Sequence, residues 1–139
     1  MDETVRFSVS IPADLARAFD SRVEARGYVS RSEAVRDLMR DDLVDAEWEG
    51  DAAEVVGTAT LIYDHSNPAL EKALNRMQHS HRGEIICTTH VHLDDDACME
   101  VVVLRGSAAA VRHVASALIA ARGVKHGKLV CTSTGANLP

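Results

Sequence analysis

Apolar and polar residues alternate strictly over residues 5–11, close to the start of the chain. Residues two apart lie on the same face of a strand, so this alternation predicts a β-strand with one apolar and one polar face. The apolar positions are Val5, Phe7, Val9 and Ile11. The polar positions are Arg6, Ser8 and Ser10. A lone strand leaves its backbone groups unpaired, so we expect the same strand of a second chain to pair with it.

Two helical patterns follow this strand. The first starts at Pro12, placed at the first helical position, and ends at Gly27. The second opens on Ser30 and Glu33, whose spacing is that of a capping box. A strand and two helices are too few residues to bury a stable core, which is a second reason to expect an obligate dimer.

The polar residues of this segment are candidates for contacts with DNA. A two-stranded antiparallel ribbon fits the major groove of B-DNA, where Arg6, Ser8 and Ser10 would face the base edges. The start of the second helix, near Ser30 and Arg31, is suited to hold a phosphate. A solvated polar strand face is the alternative interpretation of the same residues.

The second part of the chain has the pattern strand, helix, strand, strand, helix, strand. A short polar stretch at residues 47–52 precedes it, which predicts an N-terminal domain at 1–46, a linker at 47–52 and a second domain at 53–139. The order of elements in the two parts predicts the α+β class.

The second and third of these strands form the most specific pattern. If their hairpin closes on the aspartates at 94–96, His92 faces Cys98 and His90 faces Glu100. Two imidazoles and a thiolate suit Zn, Cu and Ni, whereas calcium and magnesium prefer oxygen ligands. We interpret Glu100 as the acceptor that orients the His90 ring and the aspartates as a solvated turn.

Other candidate residues have simpler interpretations from spacing alone. His79, near the end of a helix, is suited to be a favourable cation at the helix C-terminus. Tyr63 and His65 end a strand and are expected in a structural turn. Cys87 and Cys131 are expected to be core thiols.

Composition limits the classes of protein that remain. The chain has 139 residues, 46% of them hydrophobic and 26% charged, with a net charge of −6, which is typical of a folded domain and excludes bulk attraction to polyanions. It has no apolar run long enough for a membrane span, and the acidic start at residues 1–3 is unlike a signal peptide. Three cysteines without a regular framework argue against a disulfide scaffold, so a cytoplasmic protein is expected.

These patterns together resemble two known families. Residues 4–44 resemble the ribbon-helix-helix family of DNA-binding proteins. The chain from residue 6 to about 130 resembles the nickel-responsive NikR family of transcriptional regulators. The motifs that carry the second resemblance are Arg-Phe-Ser-Val-Ser at 6–10, Arg-Gly-Tyr at 26–28, Ser-Arg-Ser-Glu-Ala-Val-Arg-Asp at 30–37, Tyr-Asp-His at 63–65, His79, His-Val-His at 90–92, Cys-Met-Glu at 98–100 and Arg-Gly-Val-Lys-His-Gly at 122–127.

For the second domain, the resemblance implies a ferredoxin-like βαββαβ fold of the ACT type within a homotetramer. It implies one Ni(II) per subunit in a square plane formed by His90, His92 and Cys98 of one chain and His79 of a neighbour, which replaces the helix-end interpretation of His79. Tyr63 and His65 are then expected beside the ligands.

For the first domain, the resemblance implies a dimer at each end of the tetramer, binding two half-sites of double-stranded operator DNA and repressing nickel-uptake genes. Arg31 and Arg36 are the main phosphate candidates. Ser8 and Ser10 stand where the family often has Thr, and the loop at 66–68 lacks the basic residues of some members. Glu33 and Asp37 match positions that help some members to bind a potassium-like ion between the domains.

Two other functions remain open from the residues alone. One is a ribbon-helix-helix regulator that senses an amino acid or another metabolite through its ACT-like domain. The other is a metal-dependent hydrolase with Glu100 as its base, which the absence of a second catalytic group disfavours, so we do not expect an enzyme.

Overall fold

The computed structural model describes residues 3–139, so Met1 and Asp2 of the acidic start lie outside the described residues. The chain divides into two compact units, one ending at Arg40 and the other running from Asp41 to Pro139. The elements are α1 (Ala13–Ala25), α2 (Arg31–Glu49), β1 (Glu54–Asp64), α3 (Pro68–Ser80), β2 (Ile85–His92), β3 (Ala97–Ser107), α4 (Ala108–Ile119) and β4 (Val124–Ser133). Among residues 3–139, no helix is both long and apolar enough to span a bilayer.

The strand predicted at residues 5–11 does not form within the described chain. Residues 3–12 have no regular secondary structure, because no neighbouring segment of the described chain offers them a hydrogen-bonding partner. The apolar positions of the predicted strand are accordingly exposed, with 77% of Val5 and 66% of Phe7 accessible to solvent.

Helix α1 and the start of α2 lie close to the predicted residues. Pro12 precedes α1 at the N-cap rather than at the first helical position, and its carbonyl accepts from the backbone N–H of Ala16 at 3.1 Å. Gly27 follows the helix with φ of 74°, a conformation that favours glycine. The Ser30 Oγ accepts from the backbone N–H of Glu33 at 3.2 Å, which confirms one of the two bonds of the capping box.

The join between the predicted domains is partly helical and packed. Helix α2 continues to Glu49, so residues 47–49 do not form a loop. Trp48 is buried, and its indole N–H donates to the carbonyl of Thr132 at 2.9 Å. Arg112 donates to the carbonyl of Trp48 and, at 2.6 Å, to Asp51.

The second unit is a four-stranded antiparallel sheet with the order β2-β3-β1-β4. This order confirms the expected ferredoxin-like arrangement and the α+β class. Alternate residues of β1 and β3 share one buried cluster with residues of α3 and α4, so both helices cover the same face of the sheet. The main members of this cluster are Val55, Leu61, Tyr63, Leu70, Leu74, Cys98, Val102, Leu104, Val111, Val114 and Leu118.

The predictions for Cys87 and Cys131 as core thiols are wrong. The pairing of β2 with β3 shifts between Ile85, which lies opposite Leu104, and Cys87, which lies opposite Val103. The extra residue, Ile86, forms a bulge. Cys87 lies on the face of the sheet away from the helices, where the thiol is exposed. Cys131 lies on the edge strand β4, and it is exposed as well.

Candidate metal centre

The hairpin of β2 and β3 has the predicted register. His92 lies opposite Cys98, and His90 lies opposite Glu100. The carboxylate of Asp94 closes the turn, because it accepts from the backbone N–H groups of Asp96 at 2.9 Å and Ala97 at 2.7 Å. These bonds hold the pKa of Asp94 below its ordinary value. The aspartates therefore form a turn, as the sequence indicates.

The candidate ligands gather on the helix-covered face of the sheet, at the end of the hairpin. The ring centroids of His90 and His92 are 5.3 Å apart, and those of His65 and His92 are 5.0 Å apart. Cys98 is fully buried beneath the exposed histidines. Two imidazoles and one thiol form a donor set that fits nickel, copper or zinc, and the residues are therefore suited to such an ion.

A single chain does not assemble a complete site. Within residues 3–139, no group of three or more His, Cys, Asp and Glu side chains is already arranged to hold a metal ion. His79 lies on the exposed last turn of α3, and its Nδ1 accepts from Arg82 Nη2 at 2.6 Å and Nε at 3.1 Å. The structure therefore brings His90, His92 and Cys98 to one place and leaves His79 outside that group.

Tyr63 is placed between the candidate ligands and Glu100. Its hydroxyl donates to Glu100 Oε2 at 3.1 Å and lies 3.5 Å from His90 Nδ1. Glu100 thus reaches His90 through Tyr63 rather than directly, which differs from the orientation expected from the strand register. Burial, together with the neighbouring Cys98 and Glu100, raises the pKa of Tyr63, so that the phenol remains a donor.

The environment of the thiol favours its neutral form in the absence of a cation. Burial is the main cause that raises the pKa of Cys98, and the charge of Glu100 raises it further. The neighbouring Tyr63 hydroxyl acts in the opposite direction and lowers this pKa. A thiolate ligand at this position would therefore be formed together with the binding of a cation.

Gln78 and Thr88 are two further residues of this site that the sequence patterns did not indicate. The Gln78 side chain donates to Glu100 Oε1 at 3.0 Å and accepts from the Thr88 hydroxyl at 2.9 Å. A signal was available, because Gln78 continues the spacing of four residues set by the buried Leu70 and Leu74. This spacing places Gln78 on the face of α3 that packs against the sheet.

The candidate phosphate and base contacts lie in the first unit. Arg6, Ser8 and Ser10 are exposed within residues 3–12. Arg31 is bound to Asp20 by two hydrogen bonds of 2.5 Å, and Arg36 donates to the carbonyl of Ser32 at 3.3 Å. Ser30 is engaged as the helix cap already described.

The residues considered for a potassium-like ion form a polar pocket with two arginines. Glu33 and Asp37 line it together with Arg36 and Arg40. The Asp37 carboxylate accepts from Tyr28 at 2.9 Å and from Arg40 at 3.2 Å. Each oxygen of the Asp37 carboxylate thus has one protein donor. The cation site between the domains stays a prediction.

Known protein families match both parts of the chain. Residues 56–132 match the family model of the NikR C-terminal nickel-binding domain, and residues 5–45 match that of the ribbon-helix-helix proteins of the copG family. A protein of Geobacter metallireducens is 52% identical over 99% of both chains, and one of Pyrococcus abyssi is 49% identical over 98% of this chain and 99% of its own. Each bears the name "Putative nickel-responsive regulator".

These matches cover almost the whole chain with two domains in the order that the structure shows. The matched families and relatives are regulators, not enzymes. The hairpin with His90, His92 and Cys98 lies within the segment that matches the nickel-binding domain. The chain belongs to the NikR family of nickel-responsive regulators.

Proposed function

We propose that this protein is a cytoplasmic repressor of nickel-uptake genes that binds operator DNA as a homotetramer when it carries one Ni(II) per subunit. The observation that supports this most is the register of the hairpin, which sets His92 opposite Cys98 with His90 beside them. Bound nickel would supply a square-planar centre that joins donors from two chains.

The fourth donor in this proposal is His79 of a neighbouring subunit. His90, His92 and Cys98 leave one position of a four-coordinate site to be filled. His79 is exposed on the last turn of α3, which allows it to reach another chain. Loading of the site would then hold neighbouring subunits together and favour the arrangement that contacts both half-sites.

Assembly is supported by apolar surface in both units. In the first unit, the exposed Val5, Phe7 and Val9 would be covered when the segments of two chains pair as a ribbon. In the second unit, the sheet face away from the helices carries exposed Val91 and Val130, and a second copy of the same sheet is its proposed partner. The paired ribbon would present Arg6, Ser8 and Ser10 to the major groove.

A nickel titration of the purified full-length protein tests the proposed site. We expect saturation at about one ion per chain, together with a thiolate-to-nickel charge-transfer band. Cys98→Ser should remove that band and weaken binding by more than about 100-fold, because it removes a ligand rather than an outer contact. Cys87→Ser is the matched control, since it removes an exposed thiol from the other face of the same hairpin.

The same protein should bind a nickel-transporter promoter much more tightly with nickel than without it. A coupling of about 1–3 kcal/mol is typical of such systems. Equal affinity of the apo and nickel-loaded forms would contradict the sensor function, and an unchanged spectrum in Cys98→Ser would contradict the ligand assignment.

A further inference from the structure

A run of hydrogen bonds leads from the middle of β2, through the end of α3, to the buried carboxylate of Glu100. The Thr88 hydroxyl donates to Gln78 Oε1 at 2.9 Å. The Glu100 carboxylate fixes the orientation of the amide, because a carboxylate can only accept, whereas a hydroxyl can donate or accept. The Gln78 NH₂ group is thereby directed to Glu100 Oε1, to which it donates at 3.0 Å.

The second carboxylate oxygen of Glu100 extends this series of hydrogen bonds towards the hairpin of β2 and β3. Only 5% of Glu100 is exposed, so its oxygens depend on protein donors. Tyr63 provides one of them and donates its single proton to Glu100 Oε2 at 3.1 Å.

The direction of these bonds constrains the imidazole of His90. Since the proton of Tyr63 is engaged elsewhere, the phenol oxygen can only accept from His90 Nδ1, which lies 3.5 Å away. A neutral imidazole that carries its proton on Nδ1 has a lone pair on Nε2. That nitrogen is then the one available to a metal ion.

We propose that Gln78 and Thr88 are positioning residues that hold His90 in the Nδ1-protonated tautomer through Glu100 and Tyr63. This inference rests on the proposed function, because it takes His90 to be a nickel ligand. It adds that the tautomer is selected before any metal binds, by residues on α3 and β2 that do not touch the ion. The end of α3 and the ligand hairpin are thus tied together in the free protein.

The nitrogen resonances of His90 in the metal-free full-length protein provide the decisive measurement. Long-range proton–nitrogen NMR distinguishes the two tautomers, at a pH high enough for neutral histidines, and His90→Asn assigns the signals. We expect the Nδ1–H form in the wild type. Gln78→Met, which keeps the volume and removes the amide, should move the population towards the Nε2–H form.

Nickel affinity is the second readout. Outer contacts of a ligand histidine typically change metal affinity by about 10- to 100-fold, and we expect a loss of about tenfold for Gln78→Met. Thr88→Val, at an exposed position, should shift the His90 tautomer and the nickel affinity in the same directions as Gln78→Met. This variant tests the proposal if Gln78→Met fails to fold. Lys72→Ala, an exposed position on α3, is the control and should change neither.

The outcomes separate this inference from the proposed function. An Nε2–H tautomer in the wild type would overturn it, as would an unchanged tautomer in folded Gln78→Met or Thr88→Val. If the tautomer responds as expected and the wild type nevertheless binds no nickel, the positioning role stands and the proposed nickel function fails.

Discussion

Arg31 has two uses in this molecule, one within the fold and one proposed on DNA. Its Nε and Nη2 both donate to Asp20 at 2.5 Å, which links the start of α2 to α1. A guanidinium has five N–H groups in a fixed plane, so a carboxylate that takes two of them also sets the direction of the others. Asp20 can therefore orient Arg31 for a phosphate without preventing that contact.

The same ion pair gives the first unit a dependence on pH. The hydrogen bond with Arg31 holds the pKa of Asp20 below its ordinary value of 3.8. The folded form therefore gains stability above the pKa of the unfolded state and loses it as the pH falls through the lowered pKa. We expect Asp20→Asn to lower the melting temperature at neutral pH, with the difference from the wild type disappearing in strong acid.

Thermal melts of metal-free protein at one fixed concentration check this expectation. Asp14→Asn is the control, because its pair with Arg17 joins two strongly exposed side chains and is expected to contribute nothing measurable. A melting temperature of Asp20→Asn equal to that of the wild type at neutral pH would show that the Asp20–Arg31 pair also makes no net contribution.

Among the elements, the end of α1 depends on one backbone conformation. Gly27 adopts φ of 74° after the helix, and its N–H donates to the carbonyl of Glu24 at 3.0 Å. The next N–H, of Tyr28, donates to the carbonyl of Val23 at 3.1 Å. These bonds reverse the chain towards α2, and a side chain at position 27 would oppose the required conformation.

Gly27→Ala should therefore lower the free energy of unfolding by about 1 kcal/mol, the usual cost of a left-handed conformation for a residue with a side chain. No atom lies within 4 Å of an added Cβ at Gly27, so the effect isolates backbone strain from steric contact. Chemical denaturation measures it. Gly50→Ala, which also meets no atom within 4 Å and needs no positive φ, should change stability by less than about 0.5 kcal/mol.

The hairpin of the metal centre shows which features of an element the sequence can predict. Its register follows from closure on the aspartate turn, and the opposition of His92 and Cys98 is confirmed. The register does not indicate which face packs against the helices. Cys87 shares a face with Val91, and its apolar character suggests a core position, but α3 and α4 cover the opposite face, which carries the histidines. The Cys87 thiol is therefore exposed.

Contacts between elements were harder to predict than the elements. The apolar spacing of α3 indicates which face is buried, and Leu70 and Leu74 on that face are buried. That spacing also includes Gln78, but only the fold shows that its amide meets Glu100 from β3. For His79, spacing favours a helix-end cation, and its role as a nickel ligand stays a prediction that requires a second chain.

For the whole molecule, the first unit is the part that most clearly needs another chain. Its predicted strand has no partner within the described residues, and its apolar positions are exposed, with 66% of Phe7 accessible. Pairing with a second copy would cover these side chains and satisfy the backbone groups in one step. Dimer formation and DNA binding are then separable, because alternate residues of the same strand serve the two purposes.

Phe7→Asp and Ser8→Ala test this separation with neighbouring residues. Phe7→Asp places a charge at the proposed interface, so we expect smaller assemblies by light scattering and a loss of operator binding of at least about tenfold. Ser8→Ala should leave the assembly unchanged and weaken only operator binding, by about 1 kcal/mol or more for a lost base contact.

If Phe7→Asp kept the parent size, the ribbon would not be the element that joins two chains. If Ser8→Ala bound the operator as the wild type does, the polar face of that strand would be a solvated surface and the base contacts would have to come from elsewhere in the first unit.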